Sequence, residues 1–301
     1  MAEARYRGRF APSPTGPLHL GSLYTALAGF LQAKVHRGQW LLRIDDVDPY
    51  RIARGSADRI KASLEILGLH WDGPIVHQSG RAEAYDAALT ALQSGGLVYS
   101  CTCSRKELAD SDAGGVYPGF CRSGQAAPDK PASLRILTQG ARIAFNDRVQ
   151  GRTEQNLETE VGDFILFRRD LVFAYHLATV LDDAEQGITE VLRGIDLLDS
   201  TPRQIYLQRC LGLPEPGYAH IPVLVDANGQ KLSKQSHAPE AEIRNAGGLL
   251  YYLLTLLNQD PPAELASAPP AEILPWAIAH WELGRLSGLR QVIVDPGKFQ
   301  P

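Results

Sequence analysis

The sequence predicts an α/β protein in which a parallel sheet, covered by helices, is interrupted by a β-rich insertion. Strand and helix patterns alternate over residues 1–98, and the same alternation returns over residues 188–238. These two segments are expected to form two halves of one domain. Residues 99–187 between them hold short apolar runs separated by turns, which predicts an inserted subdomain. Residues 239–301 have a helical pattern with Pro-rich joints and are expected to form a helical subdomain.

The first half begins with a Pro- and Gly-rich turn, "APSPTGPLHLGS", that leads directly into a helix. Apolar residues at helical spacing identify one face of this helix: Leu23, Leu27, Phe30 and Leu31. The run "WLLRID" at 40–45 predicts a buried strand. Ser56 is expected to cap the next helix, and a further helix over 82–94 is expected to end at Gly95.

Four apolar runs in the insertion, "ASLRILT", "ARIAFND", "DFILFRR" and "LVFAYHLATVLDD", are predicted as strands. Ser104 with Glu107 has the spacing of a capping box at a helix start. Asp182 and Asp183 resemble a metal-binding pair, but no matching spacing occurs elsewhere, so a solvated turn is expected.

In the second half, Thr201 followed by Pro202 predicts a helix with Thr201 as its N-cap, closed by Gly212. The stretch "HIPVLVDANGQKLSK" predicts a strand, a tight turn and a loop that carries two lysines. Beyond it, "GGLLYYLLTLLNQD" and "AEILPWAIAHWELGRLS" are predicted to be helical.

Composition excludes several classes of protein. The chain has 301 residues and a net charge of −4, so it is not a globally basic nucleic-acid binder, although a local basic patch is compatible with this charge. It has no apolar run long enough to cross a membrane and no apolar segment typical of a secretory signal. We therefore expect a cytoplasmic protein that does not associate with membranes, and a monomer, because no apolar patch pattern is evident.

Two short motifs have the chemistry of a phosphate site. In "HLGS", His19, Gly21 and Ser22 lie where a turn meets a helix N-terminus, whose free N–H groups favour anions. In "KLSK", Lys231 and Lys234 can stabilise charge on a polyphosphate. Taken singly, the first motif is compatible with a capped turn bearing a surface histidine, and the second with a solvated loop. Their occurrence together favours nucleotide binding.

A cysteine cluster indicates a metal site in the insertion. Cys101 and Cys103 bracket one residue, and Cys121 follows a Gly-rich stretch. Three thiolates suit tetrahedral Zn²⁺, which takes four ligands in structural sites. The alternative is three ordinary core cysteines. Spacing identifies no fourth ligand, since Cys210 is remote and belongs to a predicted core helix.

The two phosphate motifs together resemble the "HIGH" and "KMSKS" motifs of class I aminoacyl-tRNA synthetases. Six segments spread over residues 8–235 are similar to the catalytic core of glutamyl-tRNA synthetases: "GRFAPSPTGPLHLGSL", "LLRIDDVDPYR", "GLHWDGP", "LVFAYHLATVLDD", "ITEVLRGIDLLDSTPRQIYL" and "GQKLSKQ". The cysteine cluster, "KLSKQ" and a length that leaves no room for an anticodon-binding domain more closely resemble the glutamyl-Q tRNA(Asp) synthetase family, a truncated paralogue. This resemblance implies a Rossmann-like class I catalytic domain, a zinc-containing acceptor-type insertion and a C-terminal stem-contact-type helical subdomain.

The resemblance also implies roles for individual residues. Arg9 and Arg193 would bind carboxylates of glutamate, with hydroxyls from Ser13 and Tyr175. Asp45 occupies the position of a glutamate that binds the α-ammonium in the family. Because aspartate is one methylene shorter, contact through water or a shifted substrate is expected there. Catalysis is assigned to His19, Lys231 and Lys234, and ATP binding to His19, Gly21, Ser22 and Lys234.

For the metal, the resemblance places Tyr117 beside Cys101, Cys103 and Cys121 as the fourth Zn²⁺ ligand; water is the alternative. The implied reaction is activation of L-glutamate by ATP with Mg²⁺, independently of tRNA, followed by transfer to the queuosine base in the anticodon stem-loop of tRNA(Asp). One alternative is a glutamyl-tRNA synthetase-like enzyme that charges tRNA(Glu). The other is a catalytically silent regulator that binds adenylate or tRNA.

Overall fold

A computed structural model describes residues 5–110, 115–124, 126–127, 129–232, 243 and 245–294. The first half is the predicted parallel α/β unit, with strand order β1-β2-β3. Its elements are β1 (Arg7–Phe10), α1 (Leu20–Val35), β2 (Gln39–Ile44), α2 (Ser56–Ile66), β3 (Val76–His77) and α3 (Ala82–Ser94). The chain leaves the carboxyl ends of β1 and β2 at the same edge of this sheet, so the segments that follow both strands lie close together.

The second half contributes a parallel pair, β9 (Glu190–Gly194) and β10 (Gly217–Ile221), joined by α7 (Thr201–Leu211). The two halves meet where the backbone N–H of Thr189 donates to the carbonyl oxygen of Arg7 at 2.9 Å. β9 therefore lies beside β1, and the segments following both strands face a common crevice. In open α/β sheets this edge is where ligands bind.

The segment between the halves is mostly β-structure. β4 (Val98–Cys101), β5 (Ser133–Ile136) and β8 (Ile165–Phe167) form an antiparallel sheet, with the short α4 (Arg105–Ala109) after β4. The hairpin of β6 (Arg142–Asp147) and β7 (Gly151–Asn156), followed by α5 (Leu157–Glu160), instead pairs with β10. It thereby extends the sheet of the second half.

One predicted strand is wrong. Most of "LVFAYHLATVLDD" forms the helix α6 (Tyr175–Glu185), which packs against α3 and α7. Its dense apolar run satisfies a strand pattern, but Leu177 and Val180, three positions apart as on a helix face, are buried in the same apolar cluster. Apolar periodicity alone does not separate a buried strand from a buried helix, but this run of 13 residues is longer than a typical strand, so its length indicates a helix.

The C-terminal part packs back onto the first half. It contains β11 (Val223–Val225), α8 (Ala246–Leu256), α9 (Pro270–His280) and β12 (Gln291–Ile293), with β11 and β12 paired in parallel. Leucines of α8 join Trp40 and the inner face of α1 in one apolar core. No helix in the described part of the chain is long and apolar enough to span a membrane.

Two predicted helix caps are also wrong. Gly55, with φ of 71°, precedes α2, and the Ser56 hydroxyl instead donates to the carbonyl oxygen of Gly16 at 2.5 Å. Thr201 is the first residue of α7 rather than its cap, and its hydroxyl accepts a hydrogen bond from Arg193. Both side chains bond to distant segments, which no local pattern indicates. The Ser104–Glu107 capping box and the Gly212 and Gly95 helix ends are confirmed.

Candidate active site

Two adjoining cavities open at the edge where β1, β2 and β9 end. The first, of about 490 Å³, is lined by most of the predicted site residues: Arg9, Ser13, His19, Gly21, Ser22, Tyr175, Arg193 and Lys231. The second, of about 390 Å³, is lined by Asp45 and shares Ser13 and Tyr175 with the first. Lys234 lies outside the described residues. The structure thus brings together residues that are up to 222 positions apart (from Arg9 to Lys231).

The turn after β1 presents a helix N-terminus to the first cavity. His19 is the N-cap of α1: its Nδ1 accepts from the backbone N–H of Ser22 at 3.2 Å, and its Nε2 lies 3.1 Å from the Ser22 hydroxyl. Ser56 binds both backbone groups of Gly16, which pins the turn to α2. A Cβ on Gly21 would lie 3.2 Å from the His19 ring, so glycine keeps this approach open. Because unpaired N–H groups at a helix N-terminus attract anions, the start of α1 is a candidate anion site.

Lys231 reaches the same cavity from the opposite wall. Its ammonium donates to Asp196 at 2.6 Å, and both side chains are partly exposed. Such an exposed pair is weakly held, because water competes for both charges. A more strongly charged partner, such as a polyphosphate, could therefore draw the ammonium away from Asp196.

Arg9 and Asp45 belong to a buried cluster of charges. Arg9 pairs with Asp183 at 3.1 Å, and Arg43 contacts Asp183 at 2.6 Å and Asp45 at 2.8 Å. Burial would raise the pKa of the Asp183 carboxyl, but Arg9 and Arg43 lower it below its ordinary value. Burial raises the pKa of Asp45, against the opposing effect of Arg43. One carboxylate oxygen of Asp45, Oδ1, is thus already bonded to Arg43.

The solvated turn predicted for Asp182 and Asp183 is wrong, since both carboxylates are buried. Asp182 accepts from Arg81 at 2.5 Å, from Tyr85 at 2.8 Å and from Gln78 at 2.8 Å. A buried carboxylate requires such partners, because an unpaired one would be strongly destabilising. Asp183 therefore connects α6 to β1 and β2, and Asp182 connects it to the start of α3.

Arg193, at the end of β9, is held by a chain of buried polar groups. It donates to Thr201 at 2.7 Å and, through Nε, to His220 Nε2 at 3.0 Å. Because Nε2 accepts from a guanidinium, His220 must carry its proton on Nδ1, which lies 2.6 Å from Asp147. Burial lowers the pKa of His220, so the ring is neutral at pH 7. Arg193 also lies 3.5 Å from the Tyr175 hydroxyl, within the first cavity.

The three cysteines of the insertion converge. Their sulfur atoms lie within 4.8 Å of one another, with Cys103 and Cys121 3.6 Å apart. The Tyr117 hydroxyl lies 3.3 Å from the sulfur of Cys101 and 3.8 Å from that of Cys103. A tetrahedron with metal–sulfur bonds of about 2.3 Å has edges of roughly 3.8 Å, so these separations fit a tetrahedral ion. Cys210 lies apart, packed among apolar residues of α7.

The sequence model of the family "tRNA synthetases class I (E and Q), catalytic domain" matches residues 5–116 and 120–258. A curated relative from Methylococcus capsulatus, named glutamyl-Q tRNA(Asp) synthetase, is 54% identical over 97% of this chain and 96% of its own length. One of the same name from Ectopseudomonas mendocina is 50% identical over 93% and 95%. The chain belongs to the glutamyl-Q tRNA(Asp) synthetase family.

Solved structures place this family member among the class I synthetase folds. The glutamate-tRNA synthetase of Elizabethkingia anophelis has a TM-score of 0.80 and 26% identity, covering 98% of this chain and 69% of that one. A glutamate tRNA ligase from Elizabethkingia meningosepticum, crystallised in complex with its amino acid, has a TM-score of 0.79. The class I synthetase catalytic fold expected from the sequence is confirmed.

Several residues around the site of this synthetase were missed by sequence reasoning. Asp147, His220 and Thr201 orient Arg193, whereas Arg43 and Asp183 fix Arg9 and Asp45. Each lies on a different element from the residue it holds, apart from the Arg43–Asp45 pair at the end of β2. A buried Arg or Asp in an apolar strand or helix is the one sequence signal that could have indicated such partners.

Proposed function

We propose that the chain activates L-glutamate with ATP in the absence of tRNA and transfers it to the queuosine base of the tRNA(Asp) anticodon. The observation that carries this proposal is that carboxylate-binding and phosphate-binding types of side chain line the same pair of adjoining cavities. Arginines suited to carboxylates line one end, and a helix N-terminus with a lysine lines the other. Near full-length similarity to relatives named glutamyl-Q tRNA(Asp) synthetase supports the choice of substrates.

At the amino-acid end, Arg193 is the candidate partner of the side-chain carboxylate. Its Nη1 faces the cavity beside the Tyr175 hydroxyl, whereas its other nitrogens are bonded to His220 and Thr201. Arg9 adds positive charge on the same wall, and the Ser13 hydroxyl is available for hydrogen bonding. Asp45 supplies the negative charge that suits an α-ammonium. This arrangement favours an amino acid with a second carboxylate.

At the phosphate end, the N-terminus of α1, His19 and Lys231 are candidates for binding ATP, together with Lys234 from the sequence motif. An oxygen of the glutamate α-carboxylate would attack the α-phosphorus, the bond to the β-phosphate would break, and pyrophosphate would leave. Lys231 would stabilise the charge that develops on the leaving group. Mg²⁺ bound to the ATP phosphates would neutralise part of their charge.

In the second step, a hydroxyl of the queuosine cyclopentene ring would attack the carbonyl carbon of the glutamyl adenylate. The new ester forms, the bond to phosphate breaks, the hydroxyl proton is released and AMP leaves. Neither step needs a nucleophile from the protein. Residues that bind and orient the substrates are therefore sufficient for this chemistry.

Cys101, Cys103, Cys121 and Tyr117 would hold one Zn²⁺. The ion would fix the loop after β4, because binding energy at such a site becomes folding energy. Purified protein is expected to carry about one zinc per chain by elemental analysis. Tyr117→Phe should lower zinc affinity in competition with a chelator; full affinity in that variant would favour water as the fourth ligand.

Pyrophosphate exchange tests the activation step directly. We expect exchange with L-glutamate and ATP without tRNA, and a large loss with L-aspartate or L-glutamine. Absence of exchange with every amino acid would favour a silent regulator. Glutamate esterified to the 3′ end of tRNA(Glu) would instead favour a glutamyl-tRNA synthetase-like activity.

A further inference from the structure

Gln78 is a buried polar side chain that the mechanism above does not use. It follows β3, is 1% exposed and lines the second cavity together with Asp45 and Tyr175. Its neighbours in that cavity are thus the residues proposed to bind the amino-acid substrate.

The orientation of the Gln78 amide is fixed by its partner. Its Nε2 donates to Asp182 at 2.8 Å, and Asp182 also accepts from Arg81 and Tyr85. A carboxylate surrounded by donors can only receive a hydrogen bond from the amide, so the nitrogen must face Asp182 and the oxygen must face away from it. Oε1 has no hydrogen-bond partner in the part of the chain that the structure describes.

An unpartnered buried acceptor is costly unless a ligand supplies the donor. Asp45 lines the second cavity and occupies the position of the family's ammonium-binding residue. Its Oδ1 already accepts a hydrogen bond from Arg43 at 2.8 Å. An ammonium group carries three N–H donors and one carboxylate oxygen satisfies only one of them. A second acceptor is therefore needed, the more so because the Asp45 side chain is short.

We infer that Gln78 Oε1 accepts a hydrogen bond from the α-ammonium of the amino-acid substrate and acts with Asp45 as a specificity determinant. This inference rests on the proposed function, which places glutamate in these cavities. Asp182, which receives the Gln78 amide N–H, acts through Gln78 as a positioning residue. The amide adds an acceptor without adding a further negative charge to a cluster that already holds Asp45, Asp182 and Asp183.

The test compares two ligands that differ only in the α-ammonium, L-glutamate and glutarate. In Gln78→Met, we expect the dissociation constant of L-glutamate to rise about 10-fold while that of glutarate changes less than twofold. Isothermal titration measures the tighter ligand and ligand-observed NMR the weaker one. The matched control is Tyr85→Phe, which removes another donor from Asp182 but leaves Oε1 in place; its ratio of the two constants should equal that of the native protein.

The assignment would be overturned if Gln78→Met lost the same affinity for L-glutamate and glutarate, or lost affinity for neither. If Gln78→Met does not fold, Gln78→Asn decides, because it keeps both amide groups but withdraws the oxygen by one methylene. The same selective loss is expected there, and an unchanged ratio contradicts the inference. Failure of the native protein to bind L-glutamate would instead count against the proposed function itself.

Discussion

The proposed amino-acid end of the site and its proposed phosphate end differ in how their charges are held. At the amino-acid end, Arg9, Arg43 and Asp183 are buried and bonded to one another across three elements. At the phosphate end, Lys231 and Asp196 form a partly exposed pair. The first arrangement is fixed before substrate arrives, whereas the second can exchange partners.

This difference corresponds to what each end must do. Discrimination between glutamate and similar amino acids requires rigid groups, because a misplaced or unpaired charge is then penalised. Binding and release of a polyphosphate requires cations that can change partners during one cycle. The four predictions that follow test this comparison in order of expected effect.

The largest effect is expected for Asp183→Asn. The change removes the carboxylate that pairs with Arg9 and Arg43. Arg9 then loses its ion-pair partner and Arg43 keeps Asp45, so the free energy of unfolding should fall by about 3–5 kcal/mol. Denaturant unfolding measures it. The matched control is Asp196→Asn at the phosphate end, where we expect a change of no more than about 1 kcal/mol. Equal losses in the two variants would remove the distinction between the two ends.

His19→Ala should act on the reaction more than on the fold. It removes a side chain at the anion-binding helix N-terminus, so glutamate-dependent pyrophosphate exchange should fall by roughly 10²-fold or more, as for other preorganised groups of this kind. Loss of the cap should cost only about 1 kcal/mol of stability. A similar exchange rate in the variant would mean that this turn does not contact the nucleotide.

Asp45→Asn tests the charge at the amino-acid end. Removing the negative charge that faces the α-ammonium should weaken L-glutamate binding by one to two orders of magnitude, or about 1.4–3 kcal/mol. Asp45→Glu, with the longer acid, should keep or improve affinity. The dissociation constants of both variants provide the comparison, and full affinity in Asp45→Asn would require another group to bind the ammonium.

The smallest of these effects is the acid sensitivity of the helix that carries Tyr175. Burial lowers the pKa of His176 from 6.5 to about 3. Below pH 6.5 the unfolded chain binds a proton that the folded chain does not, so stability falls as pH falls and the loss continues down to about pH 3. Between pH 7 and pH 5 it amounts to about 2 kcal/mol. Between pH 7 and pH 5, the free energy of unfolding of His176→Phe should fall by about 2 kcal/mol less than that of the native protein. An equal fall in both proteins would show that His176 is not responsible.

Sequence reasoning correctly placed His19, Gly21 and Ser22 together at the start of a helix, because these residues are encoded locally. A Gly- and Pro-rich turn, a histidine and a following helix occur within a dozen residues, and CxC with a third cysteine is similarly compact. Asp183 and His220 were missed because their partners are remote in sequence: 174 residues separate Arg9 from Asp183, and 73 separate Asp147 from His220. No local pattern reports a hydrogen bond across the sheet.

The error at α6 has the same origin. Its apolar residues were assigned to a strand and its two aspartates to solvent, since charged residues at the end of an apolar run usually are exposed. In the fold, arginines from β1, β2 and the start of α3 converge on those aspartates. Tertiary pairing thus explains why the two aspartates are buried rather than exposed.

In the proposed reaction, glutamate activated in this site is transferred to the modified base of tRNA(Asp). The most direct measurement supplies labelled L-glutamate, ATP and an isolated anticodon stem-loop of tRNA(Asp), with and without queuosine. We expect label on the queuosine-bearing stem-loop, none on the unmodified one, and none on tRNA(Glu). Label on the 3′ end of tRNA(Glu) at a comparable rate, with the stem-loop unlabelled, would contradict the account.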